Sequence, residues 1–394
     1  MRLLFYLPVV TDGWMSAIIR PLIETAARSV DVHVVVPPRW AGTGVGEADL
    51  ASLRALPGTT WHIFDSPDHP SLRTTPSDPG AVLRIVRAID PDYSFCRSAD
   101  VVTPCRFPGK VGFLMEADFP PLPSRGRIRL SGAGIFDHGV MPWLDEGQRD
   151  WLAGQTRPLL EAVRSMRRGD AAGRARLFDQ TGLPADRRVI ALPLEHDGED
   201  NFYMMHSPAP VNEPFVRELA ARLGDDCVLA LTIHPAQRQD RAAMARLEGL
   251  ACDRVRILAP ADDGDATPAL ARHCDGMIVR DSKSFVWPAL FGKPVFRLSR
   301  FASAPWLNVY SDFDALQTAL RSGRPNVPDI EEALVWIGFH LANNAFLATD
   351  PDLALADLID RVERPFHPAR WDLGLEQSRA DLLAAAASLH SIGA

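Results

Sequence analysis

Short apolar runs alternate with helix-spaced apolar residues almost from the first position, and that rhythm narrows the fold more than any other feature of the chain. Residues 3–7 form an unbroken apolar run, and residues 16–29 carry Ile18, Ile19, Leu22, Ile23 and Ala26 at helical spacing. Residues 32–36 are β-branched and end at Pro37-Pro38, which closes a strand. Further strands are expected at 60–64, 93–96 and 111–115, with a helix at 81–89. Strand and helix in this alternation mean a parallel sheet covered on both faces.

The same rhythm restarts later. Residues 145–178 are helical, rich in Arg and Glu, and free of strand signals; residues 183–188, Leu-Pro-Ala-Asp-Arg-Arg, read as a hinge. Strands are then expected at 189–194, 227–233, 255–258, 276–279 and 294–298, with helices at 213–223, 241–250, 270–273 and 285–291. The segment from 330 on reads as helix and loop without a strand. With 394 residues, two domains are the natural expectation. They are a Rossmann-like domain over 1–180, a second over 186–330, and a helical tail over 331–394 packing back on the first. The fold class is therefore α/β, with two doubly wound sheets whose strand carboxyl ends face a ligand cleft. Glycosyltransferases of the GT-B arrangement, epimerases and two-domain binding proteins share that layout.

Composition removes several classes. Lys+Arg is 42 against Asp+Glu 50, a net charge of −8, and no basic block stands out, so nucleic acid is not an expected partner. The five cysteines, at 96, 105, 227, 252 and 274, include no CxxC pair and suggest reduced thiols rather than a disulfide framework or zinc cluster. The opening apolar run is short for a signal sequence, and no stretch is long enough to span a bilayer. A soluble cytoplasmic protein is expected, and peripheral attachment at the inner face of the cytoplasmic membrane is compatible with that. No GxGxxG follows the first strand, and no GxxxxGK[ST], GxSxG or HExxH occurs. The glycine-rich stretch at 42–46 follows Pro37-Pro38-Arg39-Trp40 and reads as a mobile surface loop.

Four segments remain that can carry chemistry. His234-Pro235 closes the strand 227–233, where doubly wound sheets bind ligands, and the proline restricts the backbone before it. An imidazole there can donate to a phosphate or carboxylate, or it merely closes a loop. Asp281-Ser282-Lys283-Ser284 precedes an apolar helix; either serine can cap it, its free N–H groups attract an anion, and Lys283 adds a point charge. The alternative is an ordinary cap. The strand 189–194 runs straight into Glu195, His196, Asp197, Glu199 and Asp200, either a cleft carboxylate able to attack an anomeric carbon or a solvated acidic loop. Finally, the strand 111–115 ends in Glu116, with Asp118 two residues on; Glu116 is an acid/base candidate or a simple cap.

In this order the four segments resemble the bacterial capsular-polysaccharide synthesis family, whose characterised members are retaining β-Kdo glycosyltransferases of GT-B type. The likeness covers roughly residues 111–300: Glu116 at its strand end, Leu-Pro-Leu-Glu through Asp200, His234-Pro235, and the serine turn with Ala289-Leu290 and Gly292-Lys293-Pro294-Val295. The family usually has Gln where Glu195 stands, and Ser-Thr or Ser-Ser where Lys283 separates two serines. The resemblance implies Asp200 as the nucleophile that forms a glycosyl-enzyme intermediate, with Asp197 its competitor, and Glu116 as the acid/base. It implies that His234 and Pro235 hold the phosphate of a CMP-activated sugar, and that Ser282, Lys283 and Ser284 lie near the phosphate or the sugar carboxylate. Glu195 and Asp118 are secondary candidates. No resident metal or cofactor is expected; a nucleotide sugar, CMP-Kdo by resemblance, is the substrate, and the acceptor is a surface oligosaccharide or glycolipid. A UDP-sugar transferase or epimerase, and a non-catalytic sugar-nucleotide or polysaccharide-binding protein, are the alternatives.

Overall fold

The computed structural model describes the chain except for residues 41, 55, 73–75, 120–125, 167–170, 199–200, 202–203, 205–206, 259–265, 342–344, 368–369, 371–375, 377–379 and 381–394. Among the described residues, twelve strands form two sheets. They are β1 (Arg2–Tyr6), β2 (Asp31–Val36), β3 (Thr59–Ile63), β4 (Tyr93–Cys96), β5 (Lys110–Glu116), β6 (Arg127–Ser131), β7 (Arg188–Leu194), β8 (Cys227–Ile233), β9 (Val255–Ile257), β10 (Gly276–Val279), β11 (Val295–Arg297) and β12 (Phe346–Leu347).

The first sheet runs β12-β6-β5-β4-β1-β2-β3 and the second β11-β10-β7-β8-β9. Strands β1 to β5 are mutually parallel, and so is the whole second sheet. In each, the chain steps outward from its first strand, then returns to build on the other side. The order therefore reverses between β1 and β4, and again between β7 and β10, and these are the places where doubly wound sheets bind ligands. The α/β class and two doubly wound sheets expected from sequence are what the chain forms.

The continuous apolar runs are explained by burial on both faces. In β1, Leu3 and Phe5 pack with Ile19, Leu22 and Ile23 on one side. Leu4 and Tyr6 pack with Val82, Leu83 and Val86 of the helix Gly80–Ile89 on the other. The helix after β1 is interrupted: Asp12–Trp14 is α-helical, Met15–Ile19 forms a π-helical turn, and Arg20–Ala27 is α-helical again. Pro21 sits where the second α segment begins; it has no N–H, and its ring crowds the carbonyl four residues earlier, which loosens the turn before it.

Three expectations change. First, β6 and β12 were not anticipated. Both are antiparallel to their neighbours, at one edge of the first sheet. Second, the boundary near residue 180 is displaced. One compact unit comprises Met1–Asp118, a segment ending at Ile135, and Phe339–Glu376; Phe136–Gly338 belong to the other. The helices Glu146–Met166 and Ala171–Thr181 thus belong to the second unit, where Arg174 donates to the His273 carbonyl and pairs with Asp275 at 3.2 Å. The expected tail is divided: helix Ile330–Phe339 falls almost wholly in the second unit, while helix Leu355–Glu363 lies in the first. There Glu363 accepts from the Tyr93 hydroxyl at 2.7 Å and pairs with Lys110. Third, the glycine-rich stretch is folded rather than a free surface loop. Val45 is buried in the first core, the Gly44 N–H donates to the Val10 carbonyl at 2.9 Å, and Gly44 has φ +80°. A Cβ there would meet the Pro38 carbonyl oxygen at 2.4 Å, so only glycine fits. Among the described residues, no helix is long and apolar enough to cross a membrane.

Candidate functional site

The second unit gathers polar side chains at the carboxyl ends of β7, β8 and β10. Pro193, near the end of the central strand β7, has no N–H to give to a ladder. The β7–β10 pairing covers only Gly276 with Ile190 and Met277 with Ala191, so these strands part before Pro193. Glu195 fills the opening: its Oε1 accepts the Asp281 N–H at 3.0 Å. The Asn212 amide donates to the Glu195 carbonyl at 2.8 Å, and its Oδ1 receives Arg280 Nη2 at 2.6 Å. The Asn212 N–H in turn donates to Asp197 Oδ2 at 2.5 Å, and the Asp197 N–H to Gln237 Oε1 at 2.8 Å. One hydrogen-bonded chain thereby joins the loops after all three strands.

Beneath it lies a buried set of charges. Arg280 gives Nη1 to the Ala209 carbonyl at 2.9 Å and lies over the Phe215 ring. Arg297 donates to the carbonyls of Arg280, Ala302 and Phe136, to Ser303 Oγ, and to Asp281 Oδ1 at 3.3 Å. The Ser299 hydroxyl donates to the same Asp281 oxygen at 2.5 Å. Burial pushes the Glu195 carboxyl up from its ordinary range; Arg280 pulls it back, and Asp281 adds to the rise. Burial likewise raises Asp281, against the pull of Ser299 and Arg297, and lowers both arginines. Asp281 Oδ2 and Ser284 Oγ are buried and have no hydrogen-bonding partner among the described residues.

His234 is exposed, directly after β8. Its Nδ1 accepts the Ala236 N–H at 3.2 Å, so in the neutral ring the proton sits on Nε2, which can donate to a ligand. The His196 ring lies alongside, centroids 6.4 Å apart. Pro235 is exposed as well. Ser282 caps the turn Lys283–Phe285, which leads into the helix Val286–Phe291, its Oγ accepting the Ser284 N–H at 3.2 Å. Lys283 is half-buried, and Ser284 is buried. His234, Glu195, Asp197 and the serine turn therefore share one end of one sheet, as expected. Asp197 is occupied in holding the start of helix Asn212–Arg222. Asp200 and Glu199 lie outside the described residues.

The first unit holds Glu116 at the end of β5. Its Oε1 receives two donors, Arg97 Nη2 at 2.9 Å and the Trp14 indole N–H at 2.8 Å. The Arg97 guanidinium lies 3.8 Å above the Trp14 ring and also donates to the Leu114 carbonyl at 3.3 Å. Asp118, half-buried two residues on, acts on Arg129, whose guanidinium burial pushes down to about 10 against the pull of Asp118 and Glu116. Sequence reasoning overlooked Trp14, Arg97, Arg280, Asp281 as a carboxylate, Asn212 and Arg297. A usable signal existed for two of them: Arg97 and Arg280 each follow a buried strand directly, where a solvated arginine has no reason to sit.

No protein-family description matches this chain, and no curated protein matches it. Among solved structures it is similar to the Thermosulfurimonas dismutans KpsC, beta Kdo 2,7 transferase, at 12% identity and a TM-score of 0.43 over 98% of this chain and 99% of that one. It is also similar to the E. coli ADP-heptose lps heptosyltransferase II, at 14% identity and TM-score 0.24 over 76% and 84%. A third likeness is to the Methanocaldococcus jannaschii UDP-GlcNAc 2-epimerase, at 12% identity and TM-score 0.27 over 93% and 99%.

Proposed function

We propose that this chain is a GT-B glycosyltransferase that moves a sugar from a nucleotide-activated donor, with retention of configuration, onto a surface polysaccharide or glycolipid. The donor assigned here is CMP-Kdo or a related ulosonic acid. The observation that carries the reading is His234, set at a strand end beside the place where the sheet order reverses, with its Nδ1 satisfied by the Ala236 N–H and its Nε2 protonated. That is the arrangement a nucleotide phosphate needs from a neutral imidazole. Ser282, Lys283 and Ser284, after strand β10 on the other side of β7, receive the sugar carboxylate or the phosphate.

In this reading the Asp200 carboxylate attacks the anomeric carbon, and the bond to the leaving nucleotide phosphate breaks. Preorganised donors receive the charge that develops on the phosphate. The acceptor hydroxyl then attacks the glycosyl ester, its proton passes to Glu116, and the Asp200 carboxylate is released. Asp197 is the competing nucleophile; the Asn212 N–H that its Oδ2 accepts at 2.5 Å supports giving the role to Asp200.

A thermal-shift panel of CMP, CMP-Kdo, UDP and UDP-GlcNAc tests the donor. A ligand at a hundredfold excess over its Kd adds about 2.7 kcal/mol of stability. CMP and CMP-Kdo are expected to raise the melting temperature, and His234→Ala to abolish most of the rise. A rise with the uridine ligands alone overturns the CMP assignment.

A further inference from the structure

We propose that Trp14 and Arg97 are positioning residues for Glu116, holding it as a carboxylate so that it accepts a proton from the attacking acceptor hydroxyl. The assignment rests on the role given to Glu116 above. Two donors converge on one oxygen: Arg97 Nη2 at 2.9 Å and Trp14 Nε1 at 2.8 Å. Both interactions favour the ionised form, one through charge and both through hydrogen bonding. A group held in this way is ionised at neutral pH, so it can take the incoming proton, at the cost of a lower proton affinity. The direction fits the chemistry, since a departing nucleotide phosphate carries its own charge and needs no proton.

The two donors are themselves fixed. Arg97 is 8% exposed at its side chain, follows β4 directly, and is steadied by the Leu114 carbonyl and the Trp14 ring. Trp14 stands in the first helical turn after β1, where the Thr11 hydroxyl accepts its N–H at 3.4 Å. The π-helical turn Met15–Ile19 starts at the next residue and separates Trp14 from the helix Arg20–Ala27 that packs on the sheet. Such turns cost stability and are kept mostly where they place a functional side chain. Glu116 itself keeps 31% of its side chain exposed, enough for a substrate hydroxyl to reach it.

The test uses the full chain labelled with 13C at the glutamate carboxyl, with Glu116 identified by the signal missing from Glu116→Gln. In Arg97→Gln the Glu116 titration midpoint should move up by roughly 1–3 pH units. Trp14→Phe keeps an aromatic ring near Arg97 while removing the N–H donor, and it should move the midpoint up by about one unit. Arg97→Lys should restore much of the Arg97→Gln change. Where transfer is measured, the acidic limb of the pH–rate profile should follow the same shifts; loss of rate at every pH with an unmoved limb would indicate packing alone. A midpoint unchanged in both Arg97→Gln and Trp14→Phe, in protein that melts normally, overturns the assignment whatever the activity. A midpoint that moves while Glu116→Gln retains full activity overturns the catalytic role of Glu116 instead, and with it the base function assigned to this pair.

Discussion

Replacing Arg297 by methionine keeps most of the side-chain volume and removes every donor, in a position where the side chain is 1% exposed. The guanidinium meets the carbonyls of Arg280 at 3.1 Å, Ala302 at 2.6 Å and Phe136 at 2.6 Å, as well as Ser303 Oγ at 2.8 Å and Asp281 Oδ1 at 3.3 Å. Two consequences follow from the substitution. Asp281, 3% exposed, loses its cation while its second oxygen has no partner among the described residues. Removing one partner of a buried ion pair costs about 3–5 kcal/mol. The stranded carbonyls add to this, each by about 1–3 kcal/mol if no water reaches it. Arg297→Met should therefore destabilise the protein by at least about 3 kcal/mol in urea unfolding. Adding Asp281→Asn should recover part of the loss, with a coupling energy of about 1–3 kcal/mol in the double-mutant cycle. The pH dependence is also fixed in sign. A buried carboxyl without its cation binds protons more tightly folded than unfolded, so the penalty should shrink as pH falls toward the ordinary carboxylate range. A loss below about 1 kcal/mol, or strict additivity of the two substitutions, would show that the buried network does not hold this sheet end together.

Glu195, raised by burial, takes up protons on folding; its contribution is fully present below the unfolded carboxyl range and is lost as pH rises through the folded value. Glu195→Gln keeps an oxygen for the Asp281 N–H and should gain stability relative to the native chain between pH 5 and pH 8, read as a widening difference in Tm. A constant difference would refute the buried carboxyl. On the first sheet, His33 Nδ1 and His62 Nε2 lie 3.1 Å apart, and burial lowers both rings, with His33 opposing His62 further. Their contribution is present above the unfolded value of 6.5 and lost as pH falls below it. His62→Gln should therefore flatten the fall in Tm between pH 7.5 and pH 5.5; an unchanged slope would exclude the pair as its source.

The parallel strands were legible because burial on both faces makes most of each run apolar, as Leu3 to Tyr6 illustrate. Strand β6 was not, because it alternates: Ile128 and Leu130 are buried, but Arg127 and Arg129 stand between and beside them in a short edge segment. Strand β12 has two residues, too few for any pattern. Within the candidate site, His234, Glu195, Asp197, Glu116 and the serine turn could be found because each ends a buried run. Their pairings could not, because those bonds span the chain: Trp14 to Glu116 is 102 residues, and Arg280 to Asn212 is 68; the place of Arg97 and Arg280 directly after buried strands marks those residues but not their partners. The misplaced boundary has the same origin. A helical, Arg-rich segment after the first sheet looks like its closing helix until Arg174 is seen to pair with Asp275.

Intact-protein mass spectrometry after incubation with CMP-Kdo, generated in situ, tests the central claim most directly in the native chain, Glu116→Gln and Asp200→Asn. The account predicts a covalent sugar adduct that accumulates in Glu116→Gln, where the proton of the acceptor hydroxyl has nowhere to go, and that is absent from Asp200→Asn. An adduct in Asp200→Asn equal to that of the native chain, or no adduct on any form together with no thermal shift from CMP, would contradict it.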